Sequence, residues 1–138
     1  MDNRPLTVFE QSDFLPFRAG IVAGTECVLV SHNIVRCMDP DNPASLSPKV
    51  HEILREELGF TGVILTDDLS MEAVLGWENG ADPSVQAALA GNDMLLTSDP
   101  KASFNALKAA VESGELPMRT VDRAVFRILA MKYAKGLM

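Results

Sequence analysis

Basic residues are scarce beside acidic ones: 12 Lys and Arg face 19 Asp and Glu, leaving a net charge of -7. Phosphate recognition needs clustered cations, so neither nucleic acid nor an anionic membrane is expected as the main partner. Cysteine is nearly absent. Cys27 and Cys37 make no disulfide framework and read as two reduced thiols of a cytoplasmic protein. No basic segment leads into an N-terminal apolar stretch, and no run approaches about 18 apolar residues, so neither signal peptide nor membrane span is expected. Aromatics supply only 6% of the chain, so the core must be mainly aliphatic with help from methionine. Metal-ligand spacings such as HExxH or CxxC are missing, as are GxSxG and phosphate-loop patterns, and no metal or cofactor is expected.

What is present fits one α/β domain spanning residues 1–138, with enough apolar residues to build a core. Arg4 to Val8 reads as a short opening strand. Phe14 to Ala23 reads as a helix capped by Asp13, with Pro16 in its first turn, Phe14, Phe17, Ile21 and Val22 on one face, and Gly24 at its end. Cys27 to Ser31 is a compact apolar run, the pattern of a strand buried on both faces. Met38 to Ser45 reads as a loop. Ser47 then caps a helix with Pro48 at its first position and Val50, Ile53, Leu54 and Leu58 in one stripe, closed by Gly59 and Phe60.

Gly62 to Thr66 is the second apolar strand and runs straight into Asp67 and Asp68. Met71 to Leu75 reads as a short helix, Gly76 to Pro83 as a polar loop, and Val85 to Ala90 as a helix closed by Gly91. Asp93 to Thr97 is the third buried strand. Ala102 to Glu112 follows as a helix with Phe104, Leu107 and Val111 inward, and Met118 to Lys135 is the last. Three apolar strands, each followed by a helix, predict a parallel sheet. A doubly wound domain and part of a (β/α)8 barrel both fit, although the length is short of the roughly 250 residues of a complete barrel.

Ligands of such folds bind beyond the carboxyl ends of the strands. Those ends are Ser31-His32-Asn33, Thr66-Asp67-Asp68 and Thr97-Ser98-Asp99. Successive strand residues point to opposite sides, so Asp67 and Asp68 are not expected to work as one dyad. One can face the pocket while the other accepts from backbone N–H groups near Ser70 and Met71. An ionised pocket carboxylate can attack an anomeric carbon or hold Mg²⁺, and the residues alone leave both open. His32 can hydrogen-bond a sugar hydroxyl, orient a carboxylate, or pack as a structural histidine bonded to backbone. His51 reads as a solvated residue on the polar face of its helix.

The run Leu54-Arg55-Glu56-Glu57-Leu58-Gly59-Phe60-Thr61-Gly62-Val63-Ile64-Leu65-Thr66-Asp67-Asp68-Leu69-Ser70-Met71 resembles the nucleophile segment of glycoside hydrolase family 3, in its bacterial β-N-acetylhexosaminidase branch. Asp13-Phe14-Leu15-Pro16-Phe17-Arg18-Ala19, Val30-Ser31-His32, Pro43-Ala44-Ser45-Leu46-Ser47 and Ala90-Gly91-Asn92-Asp93-Met94-Leu95-Leu96 agree in family order. The resemblance implies part of a (β/α)8 barrel, about strands five to eight with their helices, that hydrolyses β-linked N-acetylglucosamine with retention. It implies Asp67 as the nucleophile, with His32, Asp68, Ser70 and Met71 on the substrate-binding side. His32 would end strand six and Asp67 strand seven.

The family's acid/base, a His held by an Asp, lies upstream of the matched portion, and neither His32 nor His51 falls at that position. The same holds for its sugar-binding Lys-His and Arg segments. The chain would then carry a nucleophile without its proton donor. A partial barrel also exposes strand edges and apolar faces, which implies homo-oligomerisation or association with a missing N-terminal half. The contrasting expectations are a non-catalytic carbohydrate-binding or interaction subunit and a receiver-like Mg²⁺ pocket.

Overall fold

Pro5 sits in an extended conformation, and the chain turns helical immediately after it. In this computed structural model, which describes residues 1–75, 77 and 81–138, the helical run consists of α1 (Leu6–Val8), a π-helical segment Phe9–Asp13 and α2 (Phe14–Val22). This corrects the expected strand at Arg4 to Val8. The cause is Arg4, which pairs with Asp2 and with Asp13, both at 2.8 Å, and stacks 4.4 Å from the Phe9 ring centre. Strand-like pairing falls on Asp2 instead, which bridges Val35. Asp13 is itself helical and engages Arg4, so it caps nothing. Pro16 has no amide to donate, and the widened turn just before it, where Phe14 N–H reaches the Phe9 carbonyl, is a local adjustment of the kind such a residue accompanies. Val22, expected on the apolar face, is 89% exposed.

The strands β1 (Cys27–Val30), β2 (Val63–Asp68) and β3 (Met94–Leu96) form one parallel sheet in the order β1-β2-β3. Cys27 pairs with Val63 and Leu29 with Leu65 in register. Gly62 precedes β2 because nothing larger fits: a Cβ there would lie 2.4 Å from the Glu26 carbonyl oxygen and 2.7 Å from the Phe60 ring. A short 3-10 turn, Ala44–Leu46, leads into α3 (Pro48–Glu52), which continues as the π-helical Ile53–Glu57. The expected cap is present, with Ser47 Oγ accepting Val50 N–H at 3.2 Å. The same hydroxyl donates to buried Asp39 at 2.6 Å, tying the preceding loop to the helix start.

Helix α4 (Glu72–Leu75) follows β2, and α5 (Pro83–Ala90) is capped by Asp82 and ends at Gly91 in the left-handed region. Of the polar loop expected from Gly76 to Pro83, residues 76 and 78–80 lie outside the described residues. Helices α6 (Pro100–Ser113) and α7 (Met118–Ala134) complete the chain. No helix of the described residues is long and apolar enough to cross a membrane.

The core lies on one side of the sheet. Val28, Val30 and Ile64 pack against Leu54, Phe60 and Ala44, and burying a side chain such as Phe60 contributes about 2–3 kcal/mol. A second cluster joins Leu46, Leu69, Val74 and Ala87, and a third joins Val85, Ala110 and Leu116. The other side of the sheet is only partly covered: Val63 at the start of β2 is fully buried, whereas Leu65 further along is half-buried. Burial along β1 alternates, and Leu29 is 49% exposed, so the strand is not buried on both faces as expected. β3 is likewise half-buried, with Leu96 exposed. Phe104, expected inward on α6, is 65% exposed, because no described segment covers that end of the helix.

His51 is a further correction: it is 3% exposed rather than solvated. Its ring lies against Gly91, where a Cβ would come within 3.5 Å, and Nδ1 donates to the Ser47 carbonyl at 2.8 Å. Gly91, in the left-handed region at the end of α5, thus packs directly on the buried histidine. Burial pulls its pKa below 6.5, against the opposing pull of the Ser47 carbonyl and the Asn92 amide.

Below the sheet, Asp93 accepts from Arg55 at 2.6 Å, from Arg127 at 2.8 Å and from the Ile64 amide at 2.9 Å. Arg55 also donates to the carbonyls of Phe60 and Gly62, at 3.0 and 2.6 Å. One buried carboxylate thus joins the helix after β1, the start of β2, the start of β3 and α7. Cys27 and Cys37 are both free thiols.

Candidate active site

Strand alternation sets the direction of the acidic pair. Ile64 belongs to the helix-side core, so Leu65 and Asp67 lie on the open side, in register with exposed Leu29. Thr66 between them is fully buried, and its hydroxyl accepts the Leu96 amide at 3.0 Å, locking β3 to the end of β2. Asp67 Oδ1 accepts the Asp68 amide at 2.9 Å.

Asp68 is committed to the turn. Its Oδ1 accepts Ser70 N–H at 2.9 Å, and its carbonyl accepts Met71 N–H at 3.1 Å. The Ser70 amide is the main influence holding its carboxyl below the usual carboxylate range, outweighing burial, with help from the Ser70 hydroxyl, the Ser98 amide and His32. Asp68 therefore stays ionised and accepts hydrogen bonds without a proton to give. Ser70 Oγ accepts from the amide and hydroxyl of Ser98, at 3.2 and 2.5 Å, bridging the loops after β2 and β3. Met71 closes the turn with its side chain 47% exposed.

His32, 7% exposed, reaches across from the end of β1. Nε2 lies 2.9 Å from the Asp68 carbonyl oxygen, which can only accept, so this nitrogen carries the proton. In the neutral ring Nδ1 then accepts from Ser45 Oγ at 2.6 Å. Both nitrogens are occupied by protein. A sugar hydroxyl could be met here only by breaking one of these bonds. The geometry matches the packed, backbone-bonded reading of His32, and it orients a peptide carbonyl rather than a carboxylate.

The structure thus gathers Asp67, Asp68, Ser70, Met71 and His32 at one end of the sheet. Two further residues, Ser45 and Asn92, belong to the same constellation and were given no role from sequence, while Ser98 was read only as part of the third strand end. Ser45 is fully buried on the 3-10 turn, its amide bonded to the Ser31 carbonyl at 3.1 Å and its carbonyl accepting Asn92 Nδ2 at 2.7 Å. The sequence carried little signal for them, since Ser45 ends a polar Asp- and Pro-rich loop and Asn92 sits at a Gly-Asn-Asp helix stop. The third strand end is used locally: Asp99 caps α6 by accepting Ala102 N–H at 3.0 Å. Among the described residues no group of three or more His, Cys, Asp or Glu could hold a metal ion.

The "Glycosyl hydrolase family 3 N terminal domain" model matches residues 1–131. A β-hexosaminidase of Stenotrophomonas maltophilia (strain K279a) is 40% identical over 111 residues, covering 79% of this chain and 32% of that protein. A β-hexosaminidase of Xylella fastidiosa (strain M12) is 37% identical over 110 residues, with the same coverage. Among solved structures, a glycoside hydrolase family 3 β-N-acetylglucosaminidase from Paenibacillus sp. str. FPU-7 superposes with a TM-score of 0.90 at 35% identity, covering 97% of this chain and 27% of that one. The chain spans about a third of the length of these curated relatives. The three-stranded parallel α/β architecture of this chain is that of a partial α/β barrel, and the chain belongs to glycoside hydrolase family 3.

Proposed function

We propose that residues 1–138 form one domain, the C-terminal portion of a family 3 barrel covering about strands five to eight, and that it serves retaining hydrolysis of β-linked N-acetylglucosamine with Asp67 as nucleophile. The observation that carries this reading is the division of labour in the acidic pair. Asp68 is held in the turn, whereas Asp67 stands on the open side of the sheet beside Leu65, its carboxylate steadied by a single bond from its neighbour's amide among the described residues. The naming of the relatives as β-hexosaminidases and a β-N-acetylglucosaminidase supports the substrate class.

In this scheme a carboxylate oxygen of Asp67 bonds to the anomeric carbon as the glycosidic oxygen leaves with a proton from a general acid. Water then opens the glycosyl ester, giving up its proton to the same group acting as base. Asp68, already ionised and tied to Ser70, cannot be that acid. His32, bonded at both nitrogens, is not placed to exchange protons with a leaving group. The family resemblance places the acid/base upstream of the matched portion, and neither of these two residues takes its place. Ser70, Met71, His32 and Asp68 build the rim against which the sugar lies. No cofactor enters the scheme.

The uncovered face at Leu29 and the exposed Phe104 and Val125 favour an assembled form, in which a second copy or the remainder of the barrel covers them. Cys27 and Cys37, both free, favour a reducing, cytoplasmic setting.

A substrate with an activated leaving group separates the nucleophile from the missing acid. With 2,4-dinitrophenyl N-acetyl-β-glucosaminide and sodium azide, the chain should release dinitrophenolate and form the β-configured glycosyl azide, while an unactivated aryl glycoside turns over far more slowly. An α-configured azide, or release unaffected by Asp67→Asn, counts against Asp67 as nucleophile. Retention of the sugar without any release favours the non-catalytic carbohydrate-binding reading.

A further inference from the structure

A buried chain of polar contacts runs behind the acidic pair, and the scheme above gives its hydrogen bonds no part in the reaction. Asn92 Nδ2 donates to the Ser45 carbonyl at 2.7 Å and to the Ala87 carbonyl at 2.8 Å. Ser45 Oγ faces His32 Nδ1 at 2.6 Å, and His32 Nε2 faces the Asp68 carbonyl at 2.9 Å. Asn92, Ser45 and His32 are all buried. Two orientations are fixed by chemistry. The amide of Asn92 must point its nitrogen at two carbonyls, so it cannot be flipped. His32 must carry a proton on Nε2, because a carbonyl accepts only, while Nδ1 pairs with the Ser45 hydroxyl, which can donate or accept.

The chain ends on the peptide that follows the Asp68 Cα, and the peptide that precedes it carries the N–H bonded to Asp67 Oδ1. Pinning the first restricts the backbone rotation that sets the second. Of the other bonds of this turn, Ser70 N–H to Asp68 Oδ1 and Met71 N–H to the Asp68 carbonyl are local to residues 68–71, whereas Leu69 N–H donates to the Leu96 carbonyl of β3 at 2.9 Å and Ser70 Oγ accepts from Ser98. The His32 bond adds the anchor from the β1 side and is the one that falls on the Asp68 carbonyl from outside the turn.

We propose that His32, held by Ser45 and through it by Asn92, is a positioning residue that fixes the Asp67 carboxylate relative to the open face of the sheet. The inference rests on the reading of Asp67 as nucleophile for its catalytic consequence, but its geometry stands separately and is tested separately.

Two measurements on the full chain decide it. Amide hydrogen exchange is compared in His32→Leu, which removes the donor, and His32→Gln, which keeps a nitrogen donor at similar reach. Loss of one buried hydrogen bond should speed exchange of the Asp68 and Ser70 amides by about tenfold in His32→Leu, with α6 amides unchanged and with His32→Gln near wild type. Unchanged exchange at Asp68, or a His32→Gln variant no better than His32→Leu, overturns the proposal. Should α6 also lose protection in His32→Leu, Ser45→Ala takes its place, with the same local rise expected and its absence equally fatal. The second measurement is glycosylation of Asp67 by a fluorinated N-acetylglucosaminyl inactivator. Its limiting rate should fall about tenfold in His32→Leu while the half-saturating concentration stays within about twofold, and His32→Gln should restore the rate. Labelling at the wild-type rate in His32→Leu overturns the proposal. A wild-type chain that takes no label argues against the Asp67 reading alone, and exchange then decides the positioning role.

Discussion

Asp67 and Asp68 are joined by a hydrogen bond, Asp68 N–H to Asp67 Oδ1 at 2.9 Å, yet their carboxylates belong to different sides of the sheet. Asp68 anchors the turn and Asp67 is left to the open face. Replacing each in turn should therefore give different phenotypes. Asp68→Asn should loosen the turn, losing about 1–2 kcal/mol of stability with the Ser70 amide contact weakened. Asp67→Asn should change stability by less than about 1 kcal/mol while removing reaction with activated substrates. Urea denaturation beside dinitrophenolate release distinguishes the two, and equal stability losses would contradict the division.

Asp93 is the residue on which the lower end of the sheet depends. Its carboxylate, 2% exposed, answers Arg55, Arg127 and the Ile64 amide together. Asp93→Ala should cost about 3–5 kcal/mol, because it leaves a buried guanidinium and an amide without their acceptor. Arg127 is a third exposed, so Arg127→Ala should cost only about 1 kcal/mol. Similar losses in both variants would show that the cluster is not organised around the carboxylate.

Legibility followed local chemistry. The Ser47 cap with Pro48 behind it, the stops at Gly59 and Gly91, and three apolar strands were readable because each depends on a few adjacent residues. The opening segment was misread because Arg4 finds Asp2, Asp13 and the Phe9 ring only after folding. His51 was misread because a segment forty residues away, around Gly91, packs on its ring only after folding. Phe104 was misread for the opposite reason: the apolar stripe was real, but no described segment covers it. The acidic pair was legible from its place after an apolar strand. The Asn92–Ser45–His32 chain was not, since three separate segments meet only in three dimensions.

Gly62 offers a steric test. Gly62→Ala would push a methyl to 2.4 Å from the Glu26 carbonyl oxygen and should cost about 1–3 kcal/mol through overpacking and displacement of the β1–β2 start. At Gly24, where φ is +87° but the space is open, alanine meets only the backbone penalty of about 1–2 kcal/mol. Thermal melts in which Gly62→Ala is milder than Gly24→Ala would contradict the close approach.

His51 gives the fold a pH dependence of definite sign. The unfolded residue titrates near 6.5, and burial pulls the folded value below that. As pH falls through 6.5 the unfolded chain takes up a proton that the folded chain resists, so stability present above that pH is progressively lost. His51→Asn, which keeps a donor for the Ser47 carbonyl, should flatten the dependence of the urea midpoint between pH 7.5 and 6. A slope unchanged by the substitution would assign the effect to another group.

The open face makes association measurable. Leu29, Phe104, Val125 and Phe126 are each more than two-fifths exposed. Light scattering after size exclusion should find a dimer or larger species, and charged substitutions at Leu29 and Phe104 should shift it towards monomer. A monomer at all concentrations, indifferent to those substitutions, would contradict an assembled form.

The most direct test of the account is the site of covalent capture. After incubation with a fluorinated N-acetylglucosaminyl inactivator, peptide mass mapping should find one glycosyl adduct on Asp67, lost in Asp67→Asn and retained in Asp68→Asn. An adduct on Asp68, or no adduct on a folded chain that binds the sugar, would contradict Asp67 as the nucleophile.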